Sequence, residues 1–158
     1  MKNSIIAGGA VVIAIVLIAG AVMMNGNGSA LSERTNREVA LTCTTDMATE
    51  FHVHPNLSII ISGERQVLPA NIGIKPTCMS SLHTHTADGV IHVESPEKRD
   101  FTLSDFFAVW GESFTKDEVL GFKADATHQI RVTVNGVEVD TYENTVLKDL
   151  EKIVISYE

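Results

Sequence analysis

A domain of the α+β or mainly β class, made of antiparallel hairpins around one short amphipathic helix and carried behind an N-terminal transmembrane helix, is the fold this sequence predicts. Three observations predict it. Ile5 to Met24 is a run of 20 residues without a charge. Beyond Phe51, apolar and polar residues alternate with period two in several short runs, punctuated by the turn dipeptides Asp88-Gly89 and Asn135-Gly136. Only the stretch from Leu103 to Trp110 carries a helical spacing of apolar side chains.

The apolar run comes first. At 1.5 Å per residue it reaches roughly 30 Å, the thickness of a bilayer hydrocarbon core. A cleaved signal peptide has a shorter apolar region of about 7–15 residues, so a retained single-pass anchor over 1–24 is expected. Lys2 precedes the span and Arg34 and Arg37 follow it, which leaves the positive-inside count nearly balanced. The bulk of the chain lies behind the span and favours a cell-membrane protein with its C-terminal domain outside the cytoplasm. Residues 25–40 are polar and glycine-bearing and read as a stalk, leaving 41–158 as the extracytoplasmic domain, with ordered structure expected from about Phe51. The chain beyond Lys2 has 20 acidic against 11 basic side chains, a net of −9. Such a balance speaks against nucleic acid and against docking on anionic lipid.

Cys43 and Cys78 are the two cysteines. Outside the cytoplasm an even pair reads first as a disulfide. Metal ligation by Cys78, close to the histidines, and a free thiol are the alternatives. Asn27-Gly28-Ser29 and Asn56-Leu57-Ser58 fit the glycosylation sequon.

From Phe51 to Ile61, Val53, Leu57, Ile59 and Ile61 alternate with His52, His54, Asn56 and Ser58, which predicts one strand with a buried face. Gly63 and Glu64 are expected to turn the chain into a second strand, Gln66 to Pro69. Strands around Leu82–Ala87 and Val90–Glu94 flank Asp88-Gly89, a two-residue hairpin signal. Thr102 and Asp105 form a capping-box pattern, Leu103, Phe106, Phe107 and Trp110 supply the apolar stripe, and Gly111 can end the helix. The stripe reads as core. Gln129–Val134 and Val137–Tyr142 form a further hairpin in which Arg131 is expected opposite Asp140, and Ile153–Tyr157 is the last strand.

Five of the six histidines fall in His52-Val53-His54, His83-Thr84-His85 and His92. Residues two apart on a strand point the same way, at a Cα separation of about 6.6–7 Å, within reach of one ion. If Asp88 and Gly89 alone make the turn, His85 faces His92 and His83 faces Glu94 on one side of the ribbon. His83, His85, His92, His52, His54 and Glu94 are then candidate ligands for Zn²⁺ or Cu²⁺. A three-residue turn would instead disperse them. His128 stands apart and reads as structural.

Phe51-His52-Val53-His54 resembles the copper-binding His-x-His segment of copper/zinc superoxide dismutases over those four residues, without that family's glycine-rich zinc loop. A broader resemblance rests on His83-Thr84-His85 with Gly89-Val90-Ile91-His92, on Phe101–Phe107, on Val134-Asn135-Gly136, and on Leu147–Leu150 with Ile153–Tyr157. These blocks look like a family of small membrane-anchored, histidine-rich extracytoplasmic proteins of archaea and bacteria. The resemblance implies one coherent domain behind a hydrophobic segment and implies no reaction.

Three functions stay open on the sequence. The first is a metal-binding module that buffers or delivers zinc or copper. The second is an accessory subunit of a membrane complex, with Gly8-Gly9-Ala10 and Ala19-Gly20-Ala21 allowing close helix packing. The third is a metal-dependent redox or hydrolytic enzyme, for which no nucleophile motif, phosphate loop or cofactor fingerprint is present.

Overall fold

The alternating pattern becomes strands, but the strands are shorter and more numerous than their spacing predicts. The computed structural model describes residues 33–45 and 49–158, and the expected anchor and the first half of the expected stalk lie outside them. Among the described residues no helix is long and apolar enough to cross a membrane. Thr35–Glu158 forms one compact unit.

Order begins earlier than Phe51. Helix α1 (Asn36–Leu41) sits at the end of the segment read as a stalk and is capped by Thr35 and Glu38. The Thr35 N–H donates to Glu38 Oε2 at 2.8 Å, and the Glu38 N–H donates to Thr35 Oγ1 at 3.2 Å. Thr-Asn-Arg-Glu ahead of Val39-Ala40-Leu41 is a capping-box signature, and it was legible in the sequence. Val39 and Ala40 are buried, and α1 packs against the later helix. β1 (Cys43–Thr44) follows, pairs with β6 (Cys78–Ser80), and is joined to it by the Cys43–Cys78 disulfide. That bond removes Cys78 from the candidate ligands.

The single strand expected over Phe51–Ile61 is two strands, β2 (Phe51–Val53) and β3 (Asn56–Ile61). Pro55, which has no N–H to give a ladder, stands between them, and the two belong to different sheets. β3 buries Leu57, Ile59 and Ile61, as its period predicts. The turn out of β3 is Ser62-Gly63, both at positive φ, and the next strand is β4 (Glu64–Gln66), displaced from the expected Gln66–Pro69. β5 (Ile74–Lys75) completes a sheet in the order β1-β6-β5.

The principal sheet has five strands in the order β13-β12-β14-β3-β4. β12 (Ile130–Val134) and β13 (Val137–Val139) meet at Asn135-Gly136 with Val134 opposite Val137, the register the two-residue turn predicts. β13 stops at Val139, so Asp140 lies outside the ladder, and Arg131 is paired with Ser156 across the other edge of β12. β14 (Lys152–Tyr157) is central, antiparallel to β12 and parallel to β3. That parallel pairing had no counterpart in the sequence reading. A small sheet of β9 (Phe114–Thr115), β10 (Glu118–Val119) and β11 (Phe122–Lys123) was also unforeseen.

Helix α2 (Leu103–Trp110) forms where its apolar stripe lies, and Leu103, Phe106 and Phe107 are buried with Phe101 and Leu147. The Thr102 N–H donates to Asp105 Oδ2 at 3.0 Å, and Gly111, at φ +86°, returns its N–H to the Phe107 carbonyl at 2.8 Å. Asp105 is itself buried, and its Oδ1 accepts from Arg37 Nε of α1 at 2.8 Å. One carboxylate therefore caps α2 and fastens α1 to it. Asp105→Ala is expected to lower the unfolding free energy by about 1–3 kcal/mol, measured as a fall in the urea midpoint. Asp105→Glu should recover part of it.

Candidate metal centre

The histidines converge on a three-stranded sheet in the order β2-β8-β7, with β7 (Leu82–His83) and β8 (His92–Ser95) as its second and third strands in the chain. Partners across an antiparallel pair share a face, as do residues two apart along a strand. His83 is opposite His92, and His52 is opposite Glu94. His52, Glu94, His92 and His83 therefore lie on one face. Leu82, Val93 and Val53 occupy the other, where Leu82, Val93 and neighbouring Ile91 are fully buried. Apolar burial on that face sets which side the imidazoles take.

The tight Asp88-Gly89 bend is not formed. The expected registers placed His85 opposite His92 or opposite Ile91, and His83 opposite Glu94 in the first case. Instead His83 pairs with His92, and residues 84–91 make a longer excursion. The cause is competition for Thr84. Its N–H donates to the Ile72 carbonyl at 3.1 Å, its carbonyl accepts from Asn71 at 2.9 Å, and its hydroxyl donates to the Pro69 carbonyl at 2.9 Å. Committed to 69–72, Thr84 cannot extend the ladder with β8. The loop then folds against 55–57: the Gly89 carbonyl accepts from Leu57 at 2.8 Å and the Pro55 carbonyl from Ile91 at 2.9 Å. A Cβ on Gly89 would lie 2.4 Å from the Leu57 carbonyl oxygen, so this approach requires glycine. Asn56, the sequon asparagine, turns its amide to the Asp88 carbonyl at 3.3 Å.

The longer loop still delivers the cluster. His52 and His54 have ring centroids 4.3 Å apart, and His83 and His85 4.9 Å apart. His92 lies between the pairs, 4.7 Å from His54, 5.8 Å from His52, 4.6 Å from His85 and 5.3 Å from His83. Two sets, His52/His54/His92 and His83/His85/His92, each offer three ligand atoms within 4.8 Å of one another. Either set can hold a metal ion. Glu94 Oε1 is 3.1 Å from His52 Nε2 and 4.0 Å from His83 Nε2, beside both sets.

Burial divides the ligands. His52 and His85 are exposed, His54 and His92 half-buried, and His83 is inaccessible. His83 Nδ1 lies 3.0 Å from the Ser80 carbonyl. A carbonyl can only accept, so Nδ1 carries the proton and Nε2 holds a free lone pair. That Nε2 and His92 Nδ1 are buried without a hydrogen-bond partner. Such orphaned polar atoms cost about 1–3 kcal/mol each unless something satisfies them. Desolvation lowers the His83 pKa to about 4, against the pull of the Ser80 carbonyl and Glu94. Desolvation, then the neighbouring His85 and His54, lowers that of His92. Neutral imidazole is the form a metal takes.

Two supporting groups escaped the sequence reading. Ser80 fixes the His83 tautomer, and Asp149 accepts the His54 backbone N–H at 2.9 Å while lying 3.7 Å from its ring Nδ1. Asp149 is 95 residues from His54, and no local pattern announces such a contact. His128 stays outside the cluster, as expected of a structural histidine. Its Nδ1 is 3.1 Å from Asp125, its ring stacks on Tyr157 at 5.2 Å, and the Thr127 N–H with His128 holds the Asp125 carboxyl well below the usual range.

No protein-family model, curated protein or solved structure matches this chain.

Proposed function

We propose that the domain binds a divalent zinc or copper ion at this histidine face, and that it serves to hold the ion and hand it on outside the cytoplasm. The observation that carries the reading is the pair of orphaned ring nitrogens, His83 Nε2 and His92 Nδ1, buried among five imidazoles. A fold that merely tolerated histidines would hydrogen-bond such atoms or turn them to water. The donor set is imidazole with one carboxylate within reach. It suits Zn²⁺ and Cu²⁺ and does not suit Mg²⁺ or Ca²⁺, which prefer oxygen cages. Both cysteines are bonded to each other, so no thiolate is available to favour Cu⁺.

The disulfide supports an oxidising compartment, and the apolar run Ile5–Met24 supports attachment to a membrane. Partners within the membrane follow from that attachment, whereas the acidic balance disfavours nucleic acid. An enzyme would need a substrate cleft and a base beside the ion. The geometry offers a sheet face with His52 and His85 exposed at its edges and His83 buried within it, which suits capture and exchange of an ion better than enclosure of a substrate.

The test uses the full chain in mild detergent, stripped with a chelator and equilibrated with Zn²⁺ or Cu²⁺. Elemental analysis should find a stoichiometric ion in the wild type and its loss in His83→Phe/His92→Phe, which leaves neither set complete. Substoichiometric metal in the wild type, or unchanged metal in a folded double variant, would remove the proposal.

A further inference from the structure

We infer that the cluster is a two-position relay, in which an outer set (His52, His54, His92) and an inner set (His83, His85, His92) take the same ion in turn and His92 remains bound throughout. The inference rests on the metal-binding reading above and specifies how the ion moves.

Topology supplies the first part. His52 and His54 come from β2 and the residue pair after it, His83 and His85 from β7 and its exit, and β8 runs between them carrying His92. The ring contacts run within each pair and from each pair to His92. Each set has three imidazoles, the number that holds zinc with one coordination position open. An incoming ligand can enter at that open position.

The second part is the chemistry of the shared residue. A neutral imidazole has one ring nitrogen protonated and one with a free lone pair. His92 can therefore complete one set at a time, and an ion in either position denies a full set to a second ion. Passage between positions replaces one histidine pair by the other around His92, with no stage at which the ion is free.

The third part is the difference in exposure. The outer set includes exposed His52 and half-buried His54 and has the freer access to solvent. The inner set also has one exposed histidine, His85, but where the outer set has His54 it has His83, wholly buried, with its tautomer set by the Ser80 carbonyl. An ion captured outside and held inside follows from that gradient. Glu94, against His52 and near His83, lies along the same path.

Zn²⁺ titration of the full chain against a chromophoric chelator, with stopped-flow uptake, tests this. The wild type should take a single equivalent. His52→Ala/His54→Ala and His83→Ala/His85→Ala should each keep a single equivalent, and the first should load more slowly. His92→Phe, which keeps a ring but no ligand, should bind at least about 100-fold more weakly than either pair variant, beyond the 10–100-fold that follows loss of a group merely supporting a ligand. Circular dichroism of the metal-free variants checks that they fold, and His92→Gln provides a second substitution should His92→Phe fail that check. A second equivalent of comparable affinity in the wild type would overturn the relay and leave metal binding standing. So would a pair variant as weak as the His92 variants, which would mean one site built from all five rings. A wild type that binds no Zn²⁺ or Cu²⁺ would overturn both proposals.

Discussion

Acidifying the metal-free protein from pH 6.5 to about pH 4 is expected to remove about 3 kcal/mol of its stability through His83. The sign follows from where the proton binds. Above pH 6.5 the imidazole is neutral in the folded and unfolded chains, and His83 contributes no pH dependence. Between 6.5 and about 4 the unfolded chain takes up a proton that the buried ring refuses, so unfolding gains as pH falls. Below that window both states are charged and this contribution levels off. His92, also lowered by desolvation and by neighbouring histidines, acts in the same direction. Urea unfolding across this pH range measures the slope, and His83→Phe should flatten it. An equal slope in that variant would place the acid sensitivity elsewhere. With Zn²⁺ or Cu²⁺ present the loss should steepen, because protons and the ion compete for the same lone pairs.

Removal of the Cys43–Cys78 bond should cost the fold roughly 3–4 kcal/mol in the chain-entropy model, given a sequence separation of 35. For a domain of this size that corresponds to a fall in melting temperature on the order of 10 °C. The loss should reach the histidines too. Cys43 is the ladder partner of Ser80, and the carbonyl of Ser80, three residues before His83, orients the ring that pairs across to His92. Cys43→Ser/Cys78→Ser is therefore expected to weaken Zn²⁺ binding more than Asp105→Ala, which acts at the helices. Thermal unfolding with and without reductant measures the first effect, and chelator competition on the folded variant measures the second. A reduced protein as stable as the oxidised one would mean that the unfolded chain is already compact around this loop.

Much of the fold was legible in local pattern. The buried face of β3, the α2 stripe with its Thr102–Asp105 cap and Gly111 terminus, the Asn135-Gly136 register and the last strand all follow from side-chain periodicity and turn chemistry. The convergence of His83, His92 and Glu94 on one side was legible for the same reason, since Ile91, Val93 and Leu82 had to be buried on the other. The Asp88-Gly89 bend was not a safe inference. Its dipeptide permits a tight turn, but Thr84 has better hydrogen bonds with residues 69–72 than a hairpin would give it. The stalk reading failed at its end because a single-turn cap, Thr35 with Glu38, was outweighed by the polar composition around it.

By itself, the amino-acid order determined which side chains could share a face, because strand and helix periods are properties of the backbone that every residue obeys. Which faces met was decided only in three dimensions. Pro55 sends β2 and β3 into separate sheets, β14 enters beside β3 in parallel, and Asp149 arrives at His54 from across the chain. Such pairings depend on which distant backbone groups satisfy one another when buried, and that competition has no signature in any short window of sequence.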